Sequence, residues 1–137
     1  MMMPLPEHIL SELGTAAREA STRAYCPYSK FRVGAALLTE EGEIVSGCNI
    51  ENASYGLTIC AERTAVFHAV ALGHQGIKAV VIYTPTSFPT APCGACRQVL
   101  NEFAPEAEVV CICDGRDEIR MTVRELLPSA FGPHNLA

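Results

Sequence analysis

Two short segments organise the fold of this chain, and they read Cys60-Ala61-Glu62-Arg63 and Pro92-Cys93-Gly94-Ala95-Cys96-Arg97-Gln98. Each stands at the start of a stretch with helical character, and together they offer three thiols and one unpaired carboxylate. Three soft ligands suit a zinc ion and leave its fourth position open for water. The sequence therefore predicts a catalytic zinc site, one ion per chain, with Glu62 as the general acid/base that moves protons.

The spacing of the cysteines supports this prediction. Cys93 and Cys96 are three residues apart, so they point the same way on a first helical turn, and the fold has to bring Cys60 to them. A helix N-terminus stabilises thiolates through its partial positive charge. Because three thiolates leave excess negative charge on the ion, Arg63 and Arg97 are predicted to donate hydrogen bonds to the sulfurs.

The spacing of Cys60 and Glu62 does not by itself place the two side chains in one site. Cys60 and Glu62 are two residues apart, which does not place them on one face of a regular helix. The alternative to a catalytic ion is a structural zinc site or plain buried thiols. A structural site needs a fourth ligand, but Cys60 has no Cys or His within four positions. The pattern favours the catalytic site.

Composition indicates one globular domain over residues 1–137. The chain is 49% hydrophobic and 18% charged, so it can bury a core. Its net charge of −5 argues against a nucleic-acid partner, whose phosphates call for Lys and Arg. No apolar run is long enough to span a membrane, and Met1–Glu7 lacks the features of a secretory signal. Seven cysteines without such a signal predict reduced thiols and a cytoplasmic protein.

Periodicity predicts helices that alternate with buried strands, which is typical of a three-layer α/β/α fold with a five-stranded mixed sheet. The segment 49–56 is too polar for a core strand and is predicted to be a loop. The helix over 60–72 is apolar on nearly every side and is predicted to be buried. The predicted elements are helices over 6–22, 60–72, 94–103 and 122–127, and strands over 32–39, 44–48, 77–83, 108–113 and 118–121.

A ligand, one intervening residue and a Glu, followed by Pro-Cys-x-x-Cys, form the zinc-deaminase pattern, here with Cys60 in place of histidine. The chain resembles the short, homotetrameric cytidine deaminases over nearly its whole length. The segments that carry the resemblance are Tyr28-Ser29-Lys30-Phe31-Arg32-Val33-Gly34-Ala35-Ala36-Leu37, Asn49-Ile50-Glu51-Asn52, Cys60-Ala61-Glu62-Arg63-Thr64, Pro92-Cys93-Gly94-Ala95-Cys96-Arg97-Gln98 and Glu125-Leu126-Leu127-Pro128.

The resemblance implies hydrolytic deamination of cytidine and 2′-deoxycytidine, with release of ammonia, in pyrimidine salvage. It also implies a homotetramer whose active sites are shared between subunits. The sugar contacts then fall on Asn49 and Glu51, and Phe31 packs against the base. Tyr55 and Phe131 reach a neighbouring subunit's pocket. Ala61 completes the implied substrate contacts.

Other functions remain open from the residues alone. A related deaminase acts on aminopyrimidine compounds such as blasticidin S, but Glu51 favours cytidine. A nucleic-acid editing deaminase would need a basic channel lined with aromatic residues. A non-enzymatic zinc-binding module would leave Glu62 without a role.

Overall fold

Five strands form one mixed sheet in the computed structural model, which describes residues 5–136. The strand order is β2-β1-β3-β4-β5. Two short 3₁₀ turns, at Tyr55–Leu57 and Pro133–Asn135, lie outside the sheet. The helices and strands are α1 (Glu7–Ser21), β1 (Gly34–Thr39), β2 (Ile44–Cys48), α2 (Ala61–Ala71), β3 (Ile77–Tyr83), α3 (Gly94–Phe103), β4 (Glu108–Ile112), β5 (Ile119–Thr122) and α4 (Val123–Leu126).

One strand pair in the sheet is parallel. β3 and β4 pair in parallel, whereas β1–β2, β1–β3 and β4–β5 are antiparallel. Parallel neighbours need a crossover connection, and α3 provides it between β3 and β4. The predicted mixed sheet of five strands is therefore confirmed.

Helices cover both faces of the sheet. Successive strand residues point to opposite sides, so each strand contributes apolar side chains to both faces. Ala35 and Leu37 of β1 join the core that α2, α3 and α4 complete. Ala36 and Leu38 join the other core, which packs against Leu13 of α1 and its neighbours. This arrangement confirms the predicted three-layer α/β/α class.

Gly47 sets how closely α2 approaches the sheet. A Cβ atom at this position of β2 would lie 2.4 Å from the backbone nitrogen of Ala65 in α2, which no side chain tolerates. Glycine therefore lets the helix lie directly on the strand. This contact fixes the start of α2, where Cys60 and Glu62 are found.

The prediction that α2 is buried on nearly every side is wrong. Phe67, Val70 and Leu72 are 47%, 39% and 58% exposed. The sheet covers only the side of the helix that carries Ala61, Ala65 and its neighbours, and a single sheet face cannot cover the opposite side. An apolar surface is left on the outside of the chain.

Other boundaries differ by one or two residues from their predicted positions. β1 begins at Gly34 instead of residue 32, and β4 ends at Ile112 instead of residue 113. The final helix has the predicted threonine cap, with the Thr122 hydroxyl and the Glu125 side chain forming a reciprocal capping box. The loop over 49–56 is confirmed apart from isolated β-bridges at Ile50 and the start of the first 3₁₀ turn.

Two further expectations concern membranes and the N-terminus. None of the helices in the described part of the chain combines the length and the apolar character needed to cross a bilayer. Met1–Pro4 and Ala137 lie outside the described residues. The expectation that Met1–Glu7 is no secretory signal falls partly on them and stays a prediction.

Candidate metal and substrate site

The two helix starts place the cysteines in equivalent positions. Cys60 is the N-cap residue of α2 and Cys93 is the N-cap residue of α3, both with extended backbone angles. Neither side chain caps its own helix, so the sulfurs are directed elsewhere. Since Cys60 lies before the first helical residue, the facing rule for regular helices does not apply to it. The spacing of Cys60 and Glu62 is therefore compatible with one site.

Three sulfurs meet between the two helix starts and could hold a metal ion. The Sγ atoms of Cys60, Cys93 and Cys96 all lie within 4.8 Å of one another. The Cys60–Cys93 distance is 3.9 Å and the Cys93–Cys96 distance is 3.5 Å. Tetrahedral zinc with bonds of about 2.3 Å separates its sulfur ligands by about 3.8 Å, so this donor set fits zinc.

The local charges favour an ionised sulfur at Cys60. The neighbouring Cys96 thiol and the hydrogen bond from Arg63 lower the pKa of Cys60 to about 5, although burial opposes the shift. The same interaction with Cys60, together with burial, raises the pKa of the Cys96 thiol. A metal binds thiolates, so binding at this cluster releases protons.

Arg63 occupies the predicted position beside a sulfur. Its Nη2 donates to the Sγ atom of Cys60 at 3.5 Å. The interaction with Cys60 raises the pKa of the guanidinium, which stays charged. Its Nε is buried without a hydrogen-bond partner among the described residues.

Arg97 does not contact a sulfur through its described hydrogen bonds, contrary to prediction. Its Nε donates to the carbonyl of Pro92 at 2.8 Å, and its Nη1 donates to the carbonyl of Leu126 at 2.9 Å. One residue along a helix turns the side chain by about 100°, so Arg97 faces away from Cys96 towards α4. It ties the residue before Cys93 to the last turn of α4.

Glu62 is buried beside the sulfurs, with 5% of its surface exposed. Burial raises the pKa of its carboxyl, and negative charge at Cys60 acts in the same direction. A buried carboxyl with a raised pKa beside other reactive groups is suited to acid/base work. The geometry places this group at a pocket that also reaches Cys60 and Cys93.

The pocket has a volume of about 350 Å³, within the range of small-molecule sites. Four of the predicted substrate contacts line it together with Glu62, namely Phe31, Asn49, Glu51 and Ala61. The sulfurs and Glu62 supply the reactive groups, and Glu51 and Asn49 supply polar groups for a ligand. Among the described residues that line it, none is Lys or Arg.

Hydrogen bonds hold both polar side chains in place. Asn49 accepts from the backbone N–H of Val33 at 2.9 Å and donates to the carbonyl of Phe31 at 2.7 Å. Its amide keeps one donor and one acceptor position for a ligand. The Oε1 atom of Glu51 accepts from the backbone N–H groups of Tyr28 and Ser29, each at 3.1 Å. The Ser29 hydroxyl donates to the Oε2 atom.

Tyr55 and Phe131 do not line this pocket in their own chain. Tyr55 is 74% exposed and lines an adjoining cavity with Tyr28, where the two rings meet edge to face. Phe131 is 59% exposed, and its carbonyl accepts a hydrogen bond from the Gln98 side chain at 2.8 Å. Their role towards a neighbouring subunit stays a prediction.

Sequence reasoning missed several residues that line the pocket. Ser29 lies two positions before Phe31, and its small polar side chain in a loop was the available signal. Thr58 and Ile59 reach the pocket because Ile50 and Ile59 form an isolated antiparallel bridge, which no local pattern predicts. The missed lining residues are Ser29, Val33, Thr58, Ile59, Ile82, Thr84, Thr90 and Ala91.

The fold and the site together define a zinc-binding α/β/α protein with a buried carboxylate beside its cluster of three cysteines. A family model described as the cytidine and deoxycytidylate deaminase zinc-binding region matches residues 8–113. The chain belongs to this family of deaminases, and zinc is its cofactor.

Individual relatives support the family assignment. A cytidine deaminase from Sporosarcina psychrophila is 46% identical over 129 residues, which are 93% of this chain and 95% of that protein. One from Halalkalibacterium halodurans is 50% identical over 116 residues, 84% of this chain and 88% of that protein. The crystal structure of cytidine deaminase from Burkholderia pseudomallei matches with a TM-score of 0.86 at 47% identity, covering 93% of this chain and 100% of that chain.

Proposed function

We propose that this protein catalyses the hydrolytic deamination of cytidine and 2′-deoxycytidine to uridine and 2′-deoxyuridine, with release of ammonia. The observation that carries the proposal is one pocket lined by Glu62, by Asn49 and Glu51, and by two of the three clustered thiols, Cys60 and Cys93. In this proposal Cys60, Cys93 and Cys96 bind the zinc ion, and Arg63 offsets part of their negative charge.

The residues divide the reaction between them. The zinc ion, when bound, supplies Lewis-acid activation of water at neutral pH. Glu62 takes a proton from the attacking water and passes it to ring nitrogen N3. It then takes the second proton from the new hydroxyl on C4 and passes it to the amino group, so that the C4–N bond breaks, ammonia leaves and a carbonyl remains at C4. Ala61 and Phe31 pack against the base, and Asn49 and Glu51 bind the sugar 3′-hydroxyl.

The pocket favours a nucleoside over a nucleotide. Glu51 carries a negative charge at this site, and no Lys or Arg is among the described residues that line it. A phosphate on the sugar would lie in this negative field without a cation to pair with it. The lack of a cation among these lining residues therefore supports free nucleosides as the substrates. Deamination of free nucleosides is a reaction of pyrimidine salvage, which is the role that we propose.

The function is tested by an absorbance assay that compares cytidine, deoxycytidine, deoxycytidine 5′-monophosphate and blasticidin S at equal concentration. We expect turnover of the two nucleosides and far slower turnover of the monophosphate. Preference for blasticidin S would indicate the related deaminase. Zinc binding without turnover of any compound would indicate a non-enzymatic module.

Replacing Glu51 with Ala is expected to weaken nucleoside binding without removing zinc. The variant loses the acceptor for the sugar hydroxyl, and a hydrogen bond to a charged group contributes about 1.5–3 kcal/mol, so KM should rise roughly 10- to 150-fold. Steady-state kinetics on cytidine measure the change, and metal analysis should find the zinc content unchanged. Unaltered kinetics would contradict the proposed sugar contact.

A homotetramer with shared active sites is part of the proposal. Its support is the exposed apolar side chains of Phe67 and Val70 on α2 and of Leu72 just after it, together with the exposed rings of Tyr55 and Phe131. Exposed apolar surface of this kind is typical of association sites. We further propose one domain over residues 1–137 and a cytoplasmic location, where the three ligand thiols stay reduced.

Light scattering should find four times the 14.7 kDa of one chain. Phe67→Glu, which places a charge on the exposed face of α2, should lower that mass and reduce activity together. Glu12→Lys, an exposed change on α1, serves as the control and should preserve the assembly. A fully active protein with the mass of one chain would contradict the shared sites.

A further inference from the structure

Glu51 is held by three donors of one loop. The backbone N–H groups of Tyr28 and Ser29 donate to Oε1, and the Ser29 hydroxyl donates to Oε2. A carboxylate offers about four acceptor positions, so these bonds leave one for a ligand. The hydrogen bond from the Ser29 side chain is the largest cause that lowers the pKa of Glu51, and the lower pKa keeps the carboxylate charged.

The hydroxyl of Ser29 has its direction fixed by a second bond. The backbone N–H of Phe31 donates to the Ser29 Oγ atom at 3.0 Å. With that acceptor position filled, the single O–H is directed at Glu51. The loop itself is constrained, because Lys30 has a positive φ of 62° and its N–H bonds the Cys26 carbonyl at 2.9 Å. A non-glycine residue with positive φ has a strained backbone that the surroundings must hold.

Resting on the proposed function, we propose that Ser29 is a positioning residue for sugar recognition. Its hydroxyl fixes the Oε2 atom of Glu51, so that the remaining acceptor position is directed at one sugar hydroxyl in the pocket that both residues line. When the Ser29 hydroxyl is removed, a water molecule takes the place of that hydroxyl, and the Glu51 carboxylate is able to rotate. Ser29 therefore acts on binding through Glu51 and leaves the proton transfers at Glu62 unchanged.

The test measures kcat and KM for Ser29→Ala and Ser29→Thr on cytidine and on 2′,3′-dideoxycytidine, which lacks the 2′- and 3′-hydroxyls and keeps the 5′-hydroxyl. We expect Ser29→Ala to raise KM for cytidine roughly tenfold with little change in kcat, the pattern of a lost binding interaction. Ser29→Thr keeps the hydroxyl and should restore KM. On dideoxycytidine, Ser29→Ala should behave like the unmodified protein.

A double-mutant cycle separates action through Glu51 from other effects. In a Glu51→Ala background, Ser29→Ala should add no further loss on cytidine. Ser11→Ala, on the exposed side of α1, is the matched control and should leave both constants unchanged. Zinc content and thermal unfolding establish that each variant folds.

Equal loss on cytidine and dideoxycytidine, a fall in kcat alone, or no effect of Ser29→Ala would overturn the inference. These outcomes leave the proposed function intact as long as the unmodified protein deaminates cytidine. An unmodified protein that does not turn over cytidine would overturn the proposed function, and the sugar-positioning role with it.

Discussion

Glu62→Gln is expected to abolish most deamination while the zinc ion stays bound. Glutamine has nearly the same shape, but it cannot take a proton from water or pass one to the base. Proton transfer by a positioned side chain contributes about 10²–10⁴-fold, and Glu62 serves more than one transfer, so kcat should fall by about 10³-fold or more. The assay is the absorbance change on cytidine, with zinc measured on the same sample.

Folding controls make this result interpretable. Glu62 is only 5% exposed, and burying a carboxylate costs stability, so the Gln variant should unfold at no lower temperature. Glu12→Gln, an exposed change on α1, should keep full activity. Normal turnover of cytidine by Glu62→Gln would refute the assigned acid/base role.

Cys96→Ala is expected to remove both zinc and activity. Cys96 is fully buried between the two helix starts, so no water-exposed side chain can replace its sulfur. Two thiols remain, which is fewer than zinc sites in proteins provide. Loss of Lewis-acid activation removes several kcal/mol of stabilisation, and the rate should fall by at least about 10³-fold.

Metal analysis and thermal unfolding with and without a chelator measure this effect. The unmodified protein should lose stability when zinc is removed, because metal binding contributes to folding, and Cys96→Ala should show no response to the chelator. Cys113→Ala changes a buried cysteine outside the cluster and should retain a full zinc content. Full zinc in Cys96→Ala would argue against the three-thiol site.

The strands and helices followed from local pattern because the residues that form them are close in sequence. The β-branched run Ile77–Tyr83 and the apolar spacing in Gly94–Phe103 were predicted with the bounds that the structure has. The predicted burial of α2 was wrong, because the elements packed around a helix decide which of its side chains are exposed. α2 is apolar on nearly every side, yet Phe67 is exposed, since one sheet face can cover only one side of a helix.

The role of Arg97 shows a second limit of the sequence. Its position beside Cys96 suggested a bond to sulfur, but its guanidinium instead donates to the carbonyl of Pro92 and to the carbonyl of Leu126, which lies 29 residues after Arg97. Adjacent residues on a helix point in different directions, and only packed neighbours decide which acceptor a long side chain reaches.

By itself the sequence determined the kinds of groups present: three thiols and a carboxylate at helix starts, and a polar loop before them. Tertiary structure decided their distances. It brought Cys60 to within 3.9 Å of Cys93 and folded the loop of Ser29 onto Glu51. The reason is physical, because residue type and spacing set local conformation, whereas burial of the sheet against α2 and α3 sets which distant side chains meet. The three zinc-binding cysteines could thus be predicted from the sequence, whereas the contact between Ser29 and Glu51 became apparent only in the folded structure.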